Sequence, residues 1–165
     1  MTNQVFTSFQ QIWRGMSSER RRQASTALFS STDMSGEQRR ATALLATKLN
    51  LRPQKAAKLP AEKAAGYLAG VMAVDELTAA SLIRAYLFAH QLQMLTGFLD
   101  ALQIPHQNGV IPEDSTVVPG VEALRAAVTR LRAENPAEDV QLYLSALVAS
   151  DTAMWGNLKE ALAEQ

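Results

Sequence analysis

The chain has 165 residues, of which 47 % are hydrophobic and 6 % aromatic, and it has no cysteine; at that length one core closes without cross-links or metal. The missing cysteine excludes a disulfide framework, a thiolate nucleophile and a Cys-ligated zinc or iron–sulfur site. Sixteen Lys and Arg balance sixteen Asp and Glu, so overall charge singles out no partner.

Alanine and leucine, both strong helix formers, dominate the apolar share, while β-branched runs are few. The expected fold is all-α: residues 1–165 as one helical domain, a compact bundle of about seven or eight helices. Met1–Gln4 carries no basic leader followed by an apolar core, so no signal peptide is expected, and the location predicted is cytoplasmic.

Val5, Phe9, Ile12 and Met16 recur at spacings of three or four and mark an opening amphipathic helix, whose apolar face Phe6 and Trp13 widen. Gly15 and the Ser17-Ser18 pair close it and start another helix with Ala24, Ala27 and Leu28 inward. Ser30–Asp33 reads as a link. Ser35 and Gln38 have the spacing of a capping box, in which each side chain bonds the other's backbone N–H. Pro53 lies beyond the helix that follows, and Pro60 opens the next one. There Gly66 and Gly70 stand four apart, a spacing that lets a second helix approach closely.

Residues 75–102 are the predicted central helix, with Ile83, Leu87, Met94 and Phe98 in one stripe and Leu82, Tyr86, Leu95 and Leu99 beside it. Arg84, His90, Gln91, Gln93 and Asp100 interrupt this segment, so it reads as an interior helix and not as a membrane span. Pro105, Gly109, Pro112 and Pro119 punctuate the stretch after it. Within that stretch Asn108-Gly109 is a type I′ turn pair, and Val110-Ile111 with Thr116–Val118 are the fragments able to form a minimal hairpin. Helix resumes near Gly120. Asn135-Pro136-Ala137-Glu138 reads as an N-cap, a first-turn proline and a first-turn acid. Asp151 is the expected cap of a last helix that docks through Trp155, Leu158 and Leu162.

The neutral total conceals a division. Residues 1–63 hold eleven Lys or Arg against four Asp or Glu, and residues 64–165 hold five against twelve. Arg20, Arg21, Arg22, Arg39, Arg40, Arg52, Lys55 and Lys58 form the candidate patch for an anionic partner. The same charges also fit a purely structural or solvated role. A helix–link–helix over Ser17–Leu49 lacks the short turn and the row of base-reading side chains that DNA recognition uses.

Two further places carry polar chemistry. In the irregular stretch His106, Asn108, Glu113 and Asp114, with Asp100 shortly before it, form a cluster able to bind a ligand or move a proton if the loop folds back; the bland counterpart is a structured turn. On the predicted central helix His90 and Tyr86 are read as packed core groups or as the polar lining of a pocket. No metal-ligand spacing, phosphate-binding glycine loop or nucleophile elbow is present in the sequence, so no metal and no cofactor are expected. The function expected is a non-catalytic protein-interaction or accessory domain, through a protein partner or self-association. A small-molecule-binding or enzymatic bundle using Tyr86 and His90 or His106 is the second reading, and nucleic-acid binding through the basic N-terminal third is the third.

Overall fold

The computed structural model of the chain describes residues 5–163; the leader reading, which concerns Met1–Gln4, falls outside them. Regular structure among the described residues is helical: α1 (Phe9–Gly15), α2 (Ser18–Ser30), α3 (Ser35–Lys48), α4 (Pro53–Ala57), α5 (Ala61–Ala69), α6 (Glu76–His90), α7 (Leu92–Ala101), α8 (Val121–Glu134), α9 (Ala137–Ser150) and α10 (Thr152–Ala163). There is no strand among them; a single antiparallel bridge joins Gln107 to Val110. No helix among the described residues is long and apolar enough to cross a membrane. The chain divides into two compact units, one of residues Phe9–Ala89 and one of Met1–Ser8 with His90–Gln165.

The single helix expected over 75–102 is two helices. Gln91 adopts φ −127° and ψ 21°, which ends α6, and its carbonyl accepts the first bond of α7 from the Leu95 N–H at 3.1 Å. Leu82, Ile83, Tyr86 and Leu87 are buried on α6, and Met94, Leu95, Phe98 and Leu99 on α7. Together with the short α4, this break accounts for ten helices among the described residues in place of the seven or eight expected.

In the Phe9–Ala89 unit the opening helix is held from a distance. The Glu76 carboxylate accepts from the Phe9 N–H at 2.7 Å and the Gln10 N–H at 3.1 Å, taking up donors that a helix start leaves without partners. One turn on, the Trp13 indole N–H donates to the Val71 carbonyl at 2.8 Å, and the ring is fully buried. Ser17 caps α2 by accepting from the Arg20 N–H at 3.3 Å. Helix α2 packs most extensively on α5, whose buried side chains are Ala64, Ala65 and Leu68. The close approach expected at Gly66 and Gly70 is not used: a methyl group added at Gly66 would meet nothing, and one at Gly70 would meet only the Tyr67 carbonyl.

Ser35 and Gln38 do not form a capping box. The N-cap of α3 is Met34, without a side-chain bond, and Gln38 instead donates to the Leu28 carbonyl at 2.8 Å and the Ser31 carbonyl at 2.6 Å. It therefore ties the end of α2 to the first turn of α3. Helix α3 ends on Asn50 in the left-handed region (φ 52°), with the Leu51 N–H returning to the Ala46 carbonyl at 2.8 Å, a Schellman closure with asparagine in the glycine position.

In the other unit the Phe98 ring meets Tyr143 edge-on at 5.5 Å and lies 6.1 Å from Trp155. Burial pushes the Tyr143 hydroxyl's pKa up, so it stays neutral in this core. The Phe6 N–H donates to the buried Ser145 hydroxyl oxygen at 3.2 Å, across 139 positions of sequence. Asp151 caps α10 as expected, accepting from the Ala153 and Met154 N–H groups at 2.9 and 3.0 Å, and Trp155, Leu158 and Leu162 are buried. Asn135 acts backwards: it closes α8, its side-chain amide donating to the Leu131 carbonyl at 3.0 Å, while Pro136 leads into α9.

Candidate functional site

The loop after α7 is built by local backbone geometry. Gln103 sits at φ 55° and the Ile104 N–H returns to the Leu99 carbonyl at 3.0 Å, which turns the chain out of the helix. Asn108 and Gly109 then adopt φ 48° and 84°, and Gln107 and Val110 exchange both backbone bonds at 2.9 Å. This is the type I′ turn the dipeptide predicts. Val110 pairs across that turn with Gln107, and no bridge reaches Thr116–Val118, so the hairpin expected between those fragments is replaced by a tighter one.

Folding back brings His106 and Asp100 together, with Nε2 2.9 Å from Oδ1. On its other side Nδ1 accepts the Gly109 N–H at 3.0 Å. These two contacts settle the imidazole chemistry. A backbone N–H can only donate and a carboxylate can only accept, so Nδ1 presents its lone pair to Gly109 and Nε2 carries the proton toward Asp100. Neutral His106 thus has its one basic lone pair occupied. Taking a proton or ligating a metal through that nitrogen requires breaking the turn. The His106 side chain is 11 % exposed and that of Asp100 73 % exposed, the arrangement of a pinned turn and not of an enclosed pocket. Asn108 is exposed at the tip, where its contribution is the left-handed backbone.

Tyr86 and His90 differ in burial. Tyr86 is 2 % exposed, whereas His90 is exposed on the last turn of α6. The core placement expected for His90 fails because α6 ends there and its buried face stops at Leu87. Among the described residues, no group of three or more His, Asp and Glu side chains is placed to hold a metal ion.

The basic candidates separate into two kinds. Arg21 is internal: its guanidinium donates to the Met16 carbonyl at 2.6 Å and the Ala69 carbonyl at 3.1 Å, joining the ends of α1 and α5. Arg22 pairs with Glu19 at 2.5 Å on the surface, and Arg20 is half-buried. The three-arginine run is therefore not one free patch. Arg40 is exposed and helps hold Asp75 ionised. Burial raises the Asp75 pKa, but bonds from the Thr78 hydroxyl (2.7 Å) and N–H (2.9 Å) outweigh it and leave that carboxyl below its ordinary value.

Arg39, Arg52, Lys55 and Lys58 are exposed, and among the described residues they form no ion pair. Of the four, Arg39 lines a groove, and the other three lie on or beside α4, whose Pro53, Ala56 and Ala57 line it. Helices α3, α4 and α5, with Phe29 of α2, enclose an open groove of ≈ 760 Å³. Ala43, Ala46, Ala56, Ala57, Ala61 and Ala64 line it with Pro53 and Leu59, and Arg39, Gln38 and Thr42 line it from α3. Arg52 precedes α4, Lys55 lies within it and Lys58 ends it, so the helix forming one wall carries three cations. Sequence reading singled out the cations and missed the groove. The repeated alanines of α4 and α5 were its only trace, because a methyl side chain signals helix as readily as it signals an unfilled surface.

Charge follows the same division as the backbone. The Phe9–Ala89 unit holds twelve Lys or Arg against six Asp or Glu, and the other unit four against ten. The chain therefore consists of a +6 unit and a −6 unit. No protein-family model, curated protein or solved structure matches this chain.

Proposed function

We propose that this chain is a non-catalytic interaction domain that binds an anionic protein surface through the α3–α4 face of its Phe9–Ala89 unit. The observation that carries the reading is the set of exposed cations Arg39, Arg52, Lys55 and Lys58, none paired among the described residues, of which Arg39 lines an open groove rich in alanine and the others lie on or beside α4, a helix that lines it. Exposed cations steer an acidic partner and set its orientation, while the apolar floor supplies the area that water must leave. Steering of this kind suits a protein partner better than a duplex, because no row of base-reading side chains accompanies the charge. With no cysteine in the chain, the reading carries a cytoplasmic location.

The test is affinity capture from extract of the native cell, with and without nuclease treatment, using the full chain and a variant with Arg39, Arg52, Lys55 and Lys58 changed to Glu. A partner protein held by the wild type and lost by the variant supports the reading. Equal capture by both, or retention that disappears with nuclease treatment, overturns it, the latter in favour of nucleic acid.

A further inference from the structure

We infer that the groove of the Phe9–Ala89 unit receives the loop 111–118 of a second copy of this chain. The inference rests on the interaction-domain reading and names its partner.

The loop offers what the groove lacks. Glu113 and Asp114 are exposed and, among the described residues, form no ion pair. Three and four residues further on, Val117 and Val118 are 41 % and 56 % exposed. In an extended chain that spacing separates the acids from the valines by roughly 10–14 Å, so one short segment presents an anionic end and an apolar end. The groove presents the converse, a lining rich in alanine with Phe29 and Leu59, with Arg39 among its lining residues and Arg52, Lys55 and Lys58 on or beside α4, whose Pro53, Ala56 and Ala57 line it. In the isolated chain these valines face solvent, so the apolar surface they offer is uncovered.

The wider charge distribution points the same way. A +6 unit and a −6 unit in one neutral chain give two copies no net repulsion, and opposite units of separate copies attract. Such a contact is heterologous, joining one patch to a different patch. It closes into a pair when the second groove takes the first copy's loop, and otherwise continues as a chain.

The experiment is light scattering on the full chain over a concentration series at low and high salt. Three variants accompany it: Lys55→Glu with Lys58→Glu, Glu113→Lys with Asp114→Lys, and Ala57→Trp, which fills the groove from an exposed position. Circular dichroism checks that each remains helical. The expected result is association of the wild type that weakens with salt and falls at least tenfold in each variant. Mixing the two charge-reversed variants restores it, because an acidic groove then meets a basic loop and the reverse. A wild type that stays monomeric at its highest soluble concentration overturns the inference, as does association indifferent to the variants or unrestored by mixing. If monomeric protein still captures a partner through its α3–α4 cations, the second copy is wrong and the interaction-domain reading stands.

Discussion

Replacing Glu76 by alanine removes the clamp on α1, and the structure sets the size of the effect. Helix α1 has seven residues, too few to persist alone, since isolated helices below about 12 residues are marginal in water. Its Phe9 and Gln10 N–H groups are held by one carboxylate at 2.7 and 3.1 Å. Hydrogen bonds to a charged group contribute about 1.5–3 kcal/mol each. Glu76 is half-buried, which places each bond at the lower end, so Glu76→Ala is expected to cost about 3 kcal/mol in total. Glu76→Gln keeps one acceptor oxygen and falls between, at about 1 kcal/mol. Trp13 sits one turn along α1 and is fully buried, so urea unfolding followed by its fluorescence in a Trp155→Phe background reads the unit concerned. An unfolding free energy for Glu76→Ala within ~0.3 kcal/mol of its parent, below the reach of a lost charged bond, would refute the clamp.

Other expectations follow from the turn and the caps. Gly109→Ala places a methyl group at φ 84° and is expected to destabilise by about 1–2 kcal/mol, measured by thermal or urea unfolding; an unchanged midpoint contradicts the turn geometry. The ¹⁵N spectrum of His106 in its neutral form is expected to show the tautomer protonated on Nε2, and a free-imidazole mixture contradicts the Gly109 bond. Asp75 has a folded pKa below its unfolded value, so its contribution is complete above the ordinary aspartate range and fades as pH falls through the folded pKa. Asp75→Asn is therefore expected to be less stable than the wild type at pH 7, with the gap closing below about pH 4; a gap that widens in acid reverses the sign and disproves the assignment.

What the sequence makes legible is what neighbouring residues determine. The Asp151 cap, the Asn108-Gly109 turn and the burial of Trp155, Leu158 and Leu162 each arise from groups within a few positions of one another, and each is present. The missed features are of a different kind. Glu76 looks like an ordinary first-turn acid until it meets α1, 67 positions away. Gln38 has a capping-box spacing yet reaches the end of the preceding helix, and Asn135 closes α8 where its position before proline suggested opening α9. Distant partners leave no periodic trace. The break at Gln91 escaped for another reason: Leu87 and Met94 are seven apart, the spacing of an unbroken helix, and neither proline nor glycine marks the interruption. At the candidate site the sequence leaves open whether the loop folds His106 back onto a carboxylate, and the tautomer required knowing that Gly109 donates to Nδ1. The groove needed three helices in place before its alanines meant anything.

The two units are threaded differently along the chain, and that bears on synthesis. Phe9–Ala89 is one continuous stretch, whereas the other unit joins Met1–Ser8 to His90–Gln165. A ribosome releases every residue of the continuous unit before it has translated α8, but the Phe6 amide must wait for Ser145. Domains emerging vectorially tend to fold as units in order of appearance, so a nascent chain stalled after α6 has cleared the exit tunnel should already protect Trp13, while the Phe6 amide gains its Ser145 partner only after α9 has followed.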